Sequence, residues 1–191
     1  MISRIDHVSL AVRDPEKAYR FFTTILGAVP GASATDLTTK YRWQIMSLGD
    51  LSRIEILNPT GQGSFLDNFL KTKDGGVHHI TMQTPNIRDA MKQLDDHGVP
   101  YFGYYEYVGA YWKEIFIHPK HAFGVLIQIS EFKADDWLAE SEKFPPDQKY
   151  SVEKTDNGCA LRFAHPGGGK ADIRLTSEEM RQLIRDLENN V

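Results

Sequence analysis

The sequence predicts an α+β fold made of two copies of a β-α-β-β-β module followed by a small β-β-β-α appendage. Three observations predict it. A strand motif recurs at an offset of 72 residues, a helix start follows it at the same place in each copy, and a C-terminal stretch matches neither copy. In the first copy Ile5 to Val12 reads as a strand, and Val77 to Thr84 is its repeat. Asp14 then stands as an N-cap before Pro15 at the first helical position, and Asn86 caps the second helix at the matching place. Ala18, Phe21, Phe22 and Ile25 recur at helical spacing, as do Ile87, Ala90, Met91 and Leu94, and Gly27 and Gly98 end the two helices. Two more strand-like runs close each copy. Tyr41 to Leu48 precedes Arg53 to Leu57, and Lys113 to His118 precedes Leu126 to Ser130, the last runs matching at an offset of 73. The modules span 1–62 and 75–132, so 1–132 reads as one duplicated domain.

Residues 133–149 read as a linker, in which a short helix-like stretch, Asp136 to Glu140, is broken by Phe144-Pro145-Pro146-Asp147. The appendage covers 150–191. Tyr150 to Lys154 and Ala160 to Phe163 flank an Asp156-Asn157-Gly158 hairpin turn, and Ala171 to Leu175 is a third strand. Thr176-Ser177-Glu178-Glu179 is a capping box that opens a helix with Met180, Leu183, Ile184 and Leu187 on one face. The run Pro166-Gly167-Gly168-Gly169-Lys170 lacks the spacing and the following Ser or Thr of a phosphate loop, so it reads as a hairpin loop. So small an appendage has little core of its own and is expected to dock on the modules or on a second subunit.

With 41% hydrophobic and 25% charged residues in 191, the chain has an ordinary globular composition. A net charge of −4 without any basic run argues against a generic nucleic-acid binder. Residues 133–191 carry 9 basic and 12 acidic side chains, and so −3 of the total; the modules are nearly neutral, and the acidity says little about a substrate. Cys159 alone excludes an intramolecular disulfide. The absence of a signal pattern and of any 18-residue apolar run argues against a membrane partner and places the chain in the cytoplasm.

Strand alternation sorts the side chains by face. Val8, Leu10 and Val12 share one face with Ile80 and Met82, and the helices are expected to cover this isoleucine-rich side together with Ile54, Ile56, Ile127 and Ile129. The other face then collects His7, Glu55, His79 and Gln128 at positions related by the duplication, while His78 falls opposite His79. Two imidazoles, a carboxylate and an amide oxygen make a mixed N/O site suited to Zn, Co, Ni, Mn or Fe. Each residue also has a structural reading: a strand histidine is commonly a satisfied core group, Glu55 has Arg53 and Arg42 available as ion-pair partners, and Gln128 can serve as a hydrogen-bonding wall. His118, in Ile117-His118-Pro119-Lys120, reads as a loop element. Tyr101, Phe102, Tyr104, Tyr105, Tyr107, Tyr111 and Trp112 either line an aromatic pocket or pack a loop.

These residues resemble those of the vicinal oxygen chelate superfamily, which includes glyoxalases, bleomycin resistance proteins and dioxygenases. The resemblance rests on Asp6-His7-Val8, Ile54-Glu55-Ile56-Leu57-Asn58-Pro59, Gly76-Val77-His78-His79-Ile80, Val108-Gly109-Ala110, Ile117-His118-Pro119-Lys120 and Gly124-Val125-Leu126-Ile127-Gln128, and spans about residues 1–132. It is nearest to the methylmalonyl-CoA epimerase-like branch. It implies that the paired modules form a cup-shaped sheet around one divalent metal held by His7, Glu55, His79 and Gln128. Relatives often carry a carboxylate where Gln128 stands, so the single carboxylate of the set moves here to Glu55. With a divalent ion the site would carry +1 and favour an anionic or oxygen-rich small molecule.

The resemblance implies a metal-dependent lyase, isomerase or epimerase of the glyoxalase type that transfers a proton next to a chelated carbonyl. Glu55 is then ligand, base or both, with Glu106 and Glu114 as supporting carboxylates. Gln44 lies in the strand where some epimerases carry an acidic base, and Tyr111-Trp112 beside the Val108 to Ala110 turn argues against a CoA ester. A homodimer is expected. The alternatives are an Fe(II)-dependent ring-cleaving dioxygenase, to which two His and a carboxylate are suited, and a non-catalytic small-molecule binding protein, against which the intact His7, Glu55 and His79 count.

Overall fold

The computed structural model describes residues 2–49, 52–109, 111–165 and 168–190. Ala110 of the Val108 to Ala110 motif, and Pro166 and Gly167 of the glycine-rich loop, lie outside the described residues. The chain divides into two compact units, 1–139 and 140–191.

In the first unit, β1 (Arg4–Val12) leads into α1 (Pro15–Arg20), then β2 (Val29–Asp36), β3 (Tyr41–Ser47) and β4 (Arg53–Pro59). The second module repeats the order with β5 (Gly75–Gln83), α2 (Ile87–Asp96), β6 (Phe102–Tyr107), β7 (Trp112–Ile117) and β8 (Ile127–Phe132). The caps act as their sequence signals require: Asp14 accepts from Lys17 N, Asn86 accepts from Arg88 N and Asp89 N, and Gly27 and Gly98 adopt φ of 72° and 64° beyond the helix ends. The first helix departs from its 3.6-residue periodicity. Residues Phe21–Ile25 form a π-helical turn closed by Leu26 N donating to Phe21 O, and this rotation leaves Phe21 and Ile25 exposed while Ala18 and Phe22 stay packed.

The eight strands form one sheet in the order β2-β3-β4-β1-β5-β8-β7-β6. β1 pairs in parallel with β4, β5 does the same with β8, and the modules join where β1 and β5 run antiparallel. The edge strands β2 and β6 complete the β-α-β-β-β units; neither has an alternating apolar pattern, and their sequence signals are weak. On the helix side Ile56, Met46 and Ala28 pack with Ala18 and Phe22, and Ile87 and Ala90 pack with Ile115, Ile117 and Ile129. The opposite face curls inward, so that Tyr41 and Trp43 from one end of the sheet and Tyr107 and Trp112 from the other line a single cavity. At its edge Ala11 and Leu57 are sealed by Leu66 and Leu70 from the segment between the modules.

Beyond β8, residues Ala134–Trp137 make a 3-10 turn that packs against β2. A Cβ built on Gly31 would lie 2.3 Å from the Trp137 carbonyl oxygen, so this contact requires glycine.

The second unit is an antiparallel three-stranded sheet, β9 (Tyr150–Thr155), β10 (Gly158–Ala164) and β11 (Lys170–Thr176), with α3 (Ser177–Glu188) packed on β10 and β11. Thr176 and Glu179 form the reciprocal capping box, and the β9–β10 turn falls at Asp156 and Asn157. No helix among the described residues is long and apolar enough to cross a membrane.

Candidate metal centre

Three neighbouring strands bring His7, Glu55 and His79 together on the inner face. His7 lies on β1, Glu55 on β4 and His79 on β5. Glu55 Oε2 lies 3.6 Å from His7 Nε2 and 3.7 Å from His79 Nε2, and one donor atom of each residue falls within 4.8 Å of the others. Both histidines are buried. The sequence placed these three residues on one face by alternation alone.

Two β-bulges refine that face. Between Ile5 and His7 the register with β5 slips at Asp6, and between Ser9 and Leu10 the extra residue opposite is His78. Each bulge therefore sits immediately before a histidine of the triad, at equivalent places in the two modules. Simple alternation puts His78 on the face opposite His79, and the bulge overturns this. The His78 and His79 rings meet Nδ1 to Nδ1 at 3.0 Å, and His78 packs against Phe65 and Phe69. Asp6 is likewise buried beside His7, with Oδ2 2.7 Å from Nδ1. Arg53 and Arg4 both donate to Asp6 Oδ1. Arg53, a sequence candidate for pairing with Glu55, is engaged by Asp6 instead.

The hydrogen bonds define where the protons are. Thr81 Oγ1 donates to Gln128 Oε1 at 2.5 Å and so accepts from His7 Nε2 at 2.9 Å. With Asp6 taking the Nδ1 proton, His7 is an imidazolium. Burial works against that charge, but Asp6 and Glu55 outweigh it and push the pKa up to about 9. Ser9 Oγ donates to Glu55 Oε2 at 2.5 Å and accepts from His79 Nε2 at 2.8 Å. His79 is neutral: burial, with His7 and His78 adding repulsion, outweighs Glu55 and takes its pKa down to about 3. Burial alone would raise the Glu55 carboxyl, yet the charge of His7 3.6 Å away and the hydrogen bond from Ser9 hold it below the usual range.

These donors fit a divalent ion. The Glu55 oxygen lies 3.6 and 3.7 Å from the two imidazole nitrogens, close to the about 3.4 Å that tetrahedral bonds of about 2.1 Å set between ligands, and all three donors fall within 4.8 Å of one another. Both Nε2 protons are held by hydroxyls that can rotate, Thr81 and Ser9, so releasing them leaves the lone pairs directed inward. Asp6 on His7 Nδ1 is the outer carboxylate that commonly orients a ligating histidine.

Gln128 stands next to this triad, buried, with Oε1 held by Thr81 and Nε2 donating to Glu114 Oε2 at 2.8 Å. Glu114 is also buried, on β7, and accepts from Trp112 Nε1 at 2.8 Å and Tyr107 Oη at 3.2 Å. Burial raises its pKa despite these three donors, and the Glu55 charge adds to the rise. Glu106 is not brought to the cluster. It lies exposed on β6, one residue out of phase with Tyr107, and accepts from Tyr104 Oη at 3.2 Å. Gln44 also points away, donating to Gly31 O and Ala32 O at the β2 edge, so the inner face of β3 offers Tyr41, Trp43 and Ile45 and no acid. His118 caps the turn at Pro119–His121 by accepting from Lys120 N.

A cavity of about 320 Å³ opens beside His7, Gln128 and Glu114. Of the aromatic run read in the sequence, only Tyr107 and Trp112 line it; Tyr101 packs under α2 and Phe102 stacks on Phe116. Trp43 and Trp137 also line it and were missed. Trp43 shares the alternation of Tyr41 and Ile45, a usable signal, whereas nothing in a segment that reads as linker marks Trp137.

A family model described as Glyoxalase/Bleomycin resistance protein/Dioxygenase superfamily matches residues 6–116. The mitochondrial methylmalonyl-CoA epimerase of Homo sapiens is 34% identical over 132 residues, covering 68% of this chain and 74% of that protein. An ethylmalonyl-CoA/methylmalonyl-CoA epimerase of Cereibacter sphaeroides is 34% identical over 134 residues, 69% of this chain and 99% of its own length. The crystal structure of methylmalonyl-CoA epimerase from Mycobacterium tuberculosis shares the fold, with a TM-score of 0.63 at 24% identity over 69% of this chain and 89% of that one.

Proposed function

The chain belongs to the Glyoxalase/Bleomycin resistance protein/Dioxygenase superfamily, and on that premise we propose that it is a metal-dependent isomerase of the epimerase type, moving a proton at a carbon next to a chelated carbonyl. The observation that carries the reading is the convergence of His7, Glu55 and His79 from both modules, linked through Thr81 and Gln128 by three hydrogen bonds to a second carboxylate, Glu114. Bound by His7, Glu55 and His79, a divalent ion would supply Lewis-acid polarisation of a carbonyl and its neighbouring oxygen. Glu114 is the proton carrier. Its burial keeps the proton at higher pH than an exposed glutamate would, which brings it toward the range where donor and acceptor roles are both accessible. Trp112, Tyr107 and Gln128 fix its two oxygens at the cavity wall. Glu55, held ionised, supplies negative charge to the ion and is less suited to carry the proton.

Of the acids that line the cavity among the described residues, Asp6 and Asp36 are held below the usual carboxylate range and Glu114 alone is raised, where a two-base epimerase would have one proton carrier on each side. Measured from the residues opposite Glu55 and Gln128, which are Ile45 and Phe116, Trp43 takes the place in β3 that Glu114 takes in β7. With Glu114 on one face only, return of the proton by Glu114 itself restores the starting configuration and gives exchange alone, so inversion in the proposed reaction takes its second proton from water on the opposite face.

The test is solvent-deuterium exchange into methylmalonyl-CoA and ethylmalonyl-CoA by Zn- or Co-loaded protein. Exchange with either, reduced at least a hundredfold in Glu114→Gln with metal content unchanged, supports the reading. Unreduced exchange in that variant removes Glu114 from the mechanism. The same two-His, one-carboxylate set also suits an Fe(II) oxygenase; purification with iron and oxygen uptake would replace the isomerase with that activity.

A further inference from the structure

The cavity has a composition that the proton-transfer chemistry does not require. Trp43 comes from the first module, Trp112 from the second, and Trp137 from the turn after β8. The three indoles are in mutual contact through Trp137, whose ring centre lies 5.4 Å from that of Trp43 at 56° and 5.1 Å from that of Trp112 at 72°. Trp112 is itself stacked on Phe132 at 4.6 Å and 25°. Such interlocked rings have few alternative rotamers and present fixed flat faces. Tyr41 and Tyr107 continue the wall, and burial drives both phenol pKa values up, so they are neutral.

The charges on the lining point the same way. Asp6, Asp36 and Glu114 are acidic, and among the described residues no Lys or Arg lines the cavity; its one cation is His7, itself a donor of the metal triad, and Asp6 is already paired with His7, Arg4 and Arg53. A carboxylate or phosphate placed beside Asp36 or Glu114 would meet like charge without a counter-ion, whereas at His7 it would not. The anionic oxygens of a substrate therefore belong at the metal triad, and what enters the cavity is uncharged. A methyl or ethyl substituent would leave much of about 320 Å³ unfilled and would use none of the ring faces.

We propose that the substrate carries an uncharged planar ring, clasped among Trp43, Trp112 and Trp137, on the carbon that lies next to its metal-chelating oxygens. This rests on the proposed metal site and specifies the substituent at its reacting carbon. Trp137 thereby makes the segment after the two modules part of the specificity pocket.

Phenylmalonate and methylmalonate share the same chelating head and differ only in the ring, so they serve as the probes. Zn²⁺ is first titrated into metal-free protein by calorimetry, and each malonate is then titrated into the loaded protein. The expected result is binding of phenylmalonate at least tenfold tighter than methylmalonate. That advantage should fall to threefold or less in Trp137→Ala and survive in Trp137→Phe, which keeps a flat face, with Zn²⁺ uptake unchanged in both. If Trp137→Ala does not fold, Trp43→Ala is expected to show the same loss. Equal or weaker binding of phenylmalonate, no binding of either malonate to the loaded protein, or an advantage that persists in these alanine variants overturns the proposal while leaving the metal site standing. Failure to take up Zn²⁺ at all overturns the metal site, and this inference with it.

Discussion

At the scale of single residues, the donor set is held in a protonated, hydrogen-bonded state that the proposed metal ion would have to displace. His7 holds its second proton to about pH 9 in the folded chain, against about 6.5 when unfolded. A raised histidine stabilises the fold fully below pH 6.5, and that contribution is lost as the pH climbs through 9. Metal-free protein is therefore expected to lose stability between pH 6.5 and 9, as read by urea unfolding in the presence of chelator. Metal binding should run the other way: each Zn²⁺ bound expels the His7 proton, so affinity is expected to rise about tenfold per pH unit up to pH 9. A pH-independent affinity over that range would mean that His7 is not a ligand. His7, Glu55 and His79 were legible because strand alternation and the duplication are both written in the local sequence. Asp6 and His78 were not, since a bulge is a property of two paired strands and neither strand alone records that its neighbour is one residue shorter.

At the scale of elements, the central strands and both helices could be read from apolar spacing and from caps that work locally, whereas β2 and β6 depend on pairing at the sheet edges. The turn at Ala134–Trp137 was illegible for a similar reason: it is ordered by what it touches. Arg53 Nη1 donates to Ala134 O at 3.1 Å, and Gly31 leaves room for the Trp137 carbonyl. Gly31→Ala is expected to push the turn off β2, costing about 1–3 kcal/mol and shifting tryptophan emission to longer wavelength. Gly49→Ala, where a Cβ meets nothing within 4 Å, is the control and should melt as the parent does. Equal thermal midpoints and emission spectra for the two variants would mean that the turn is not seated on Gly31.

At the scale of the whole molecule, the sheet order sets β4, β1 and β5 side by side, so the triad spans the seam between the modules. Any ion that binds only the folded chain stabilises it by mass action, by about 2.7 kcal/mol at a hundredfold excess over its dissociation constant. Zn²⁺ is thus expected to raise the unfolding midpoint of the parent and leave that of His79→Ala unmoved; a shift in the variant as large as in the parent would place the ion elsewhere. The seam also gives the site a kind of logic. His7 and Glu55 travel with one half of the duplication and His79 with the other, so a cut anywhere in residues 60–74 divides the donors two against one. Neither fragment has a complete set, and capture of the proposed ion would become a conjunction that reports the reunion of two separately made pieces.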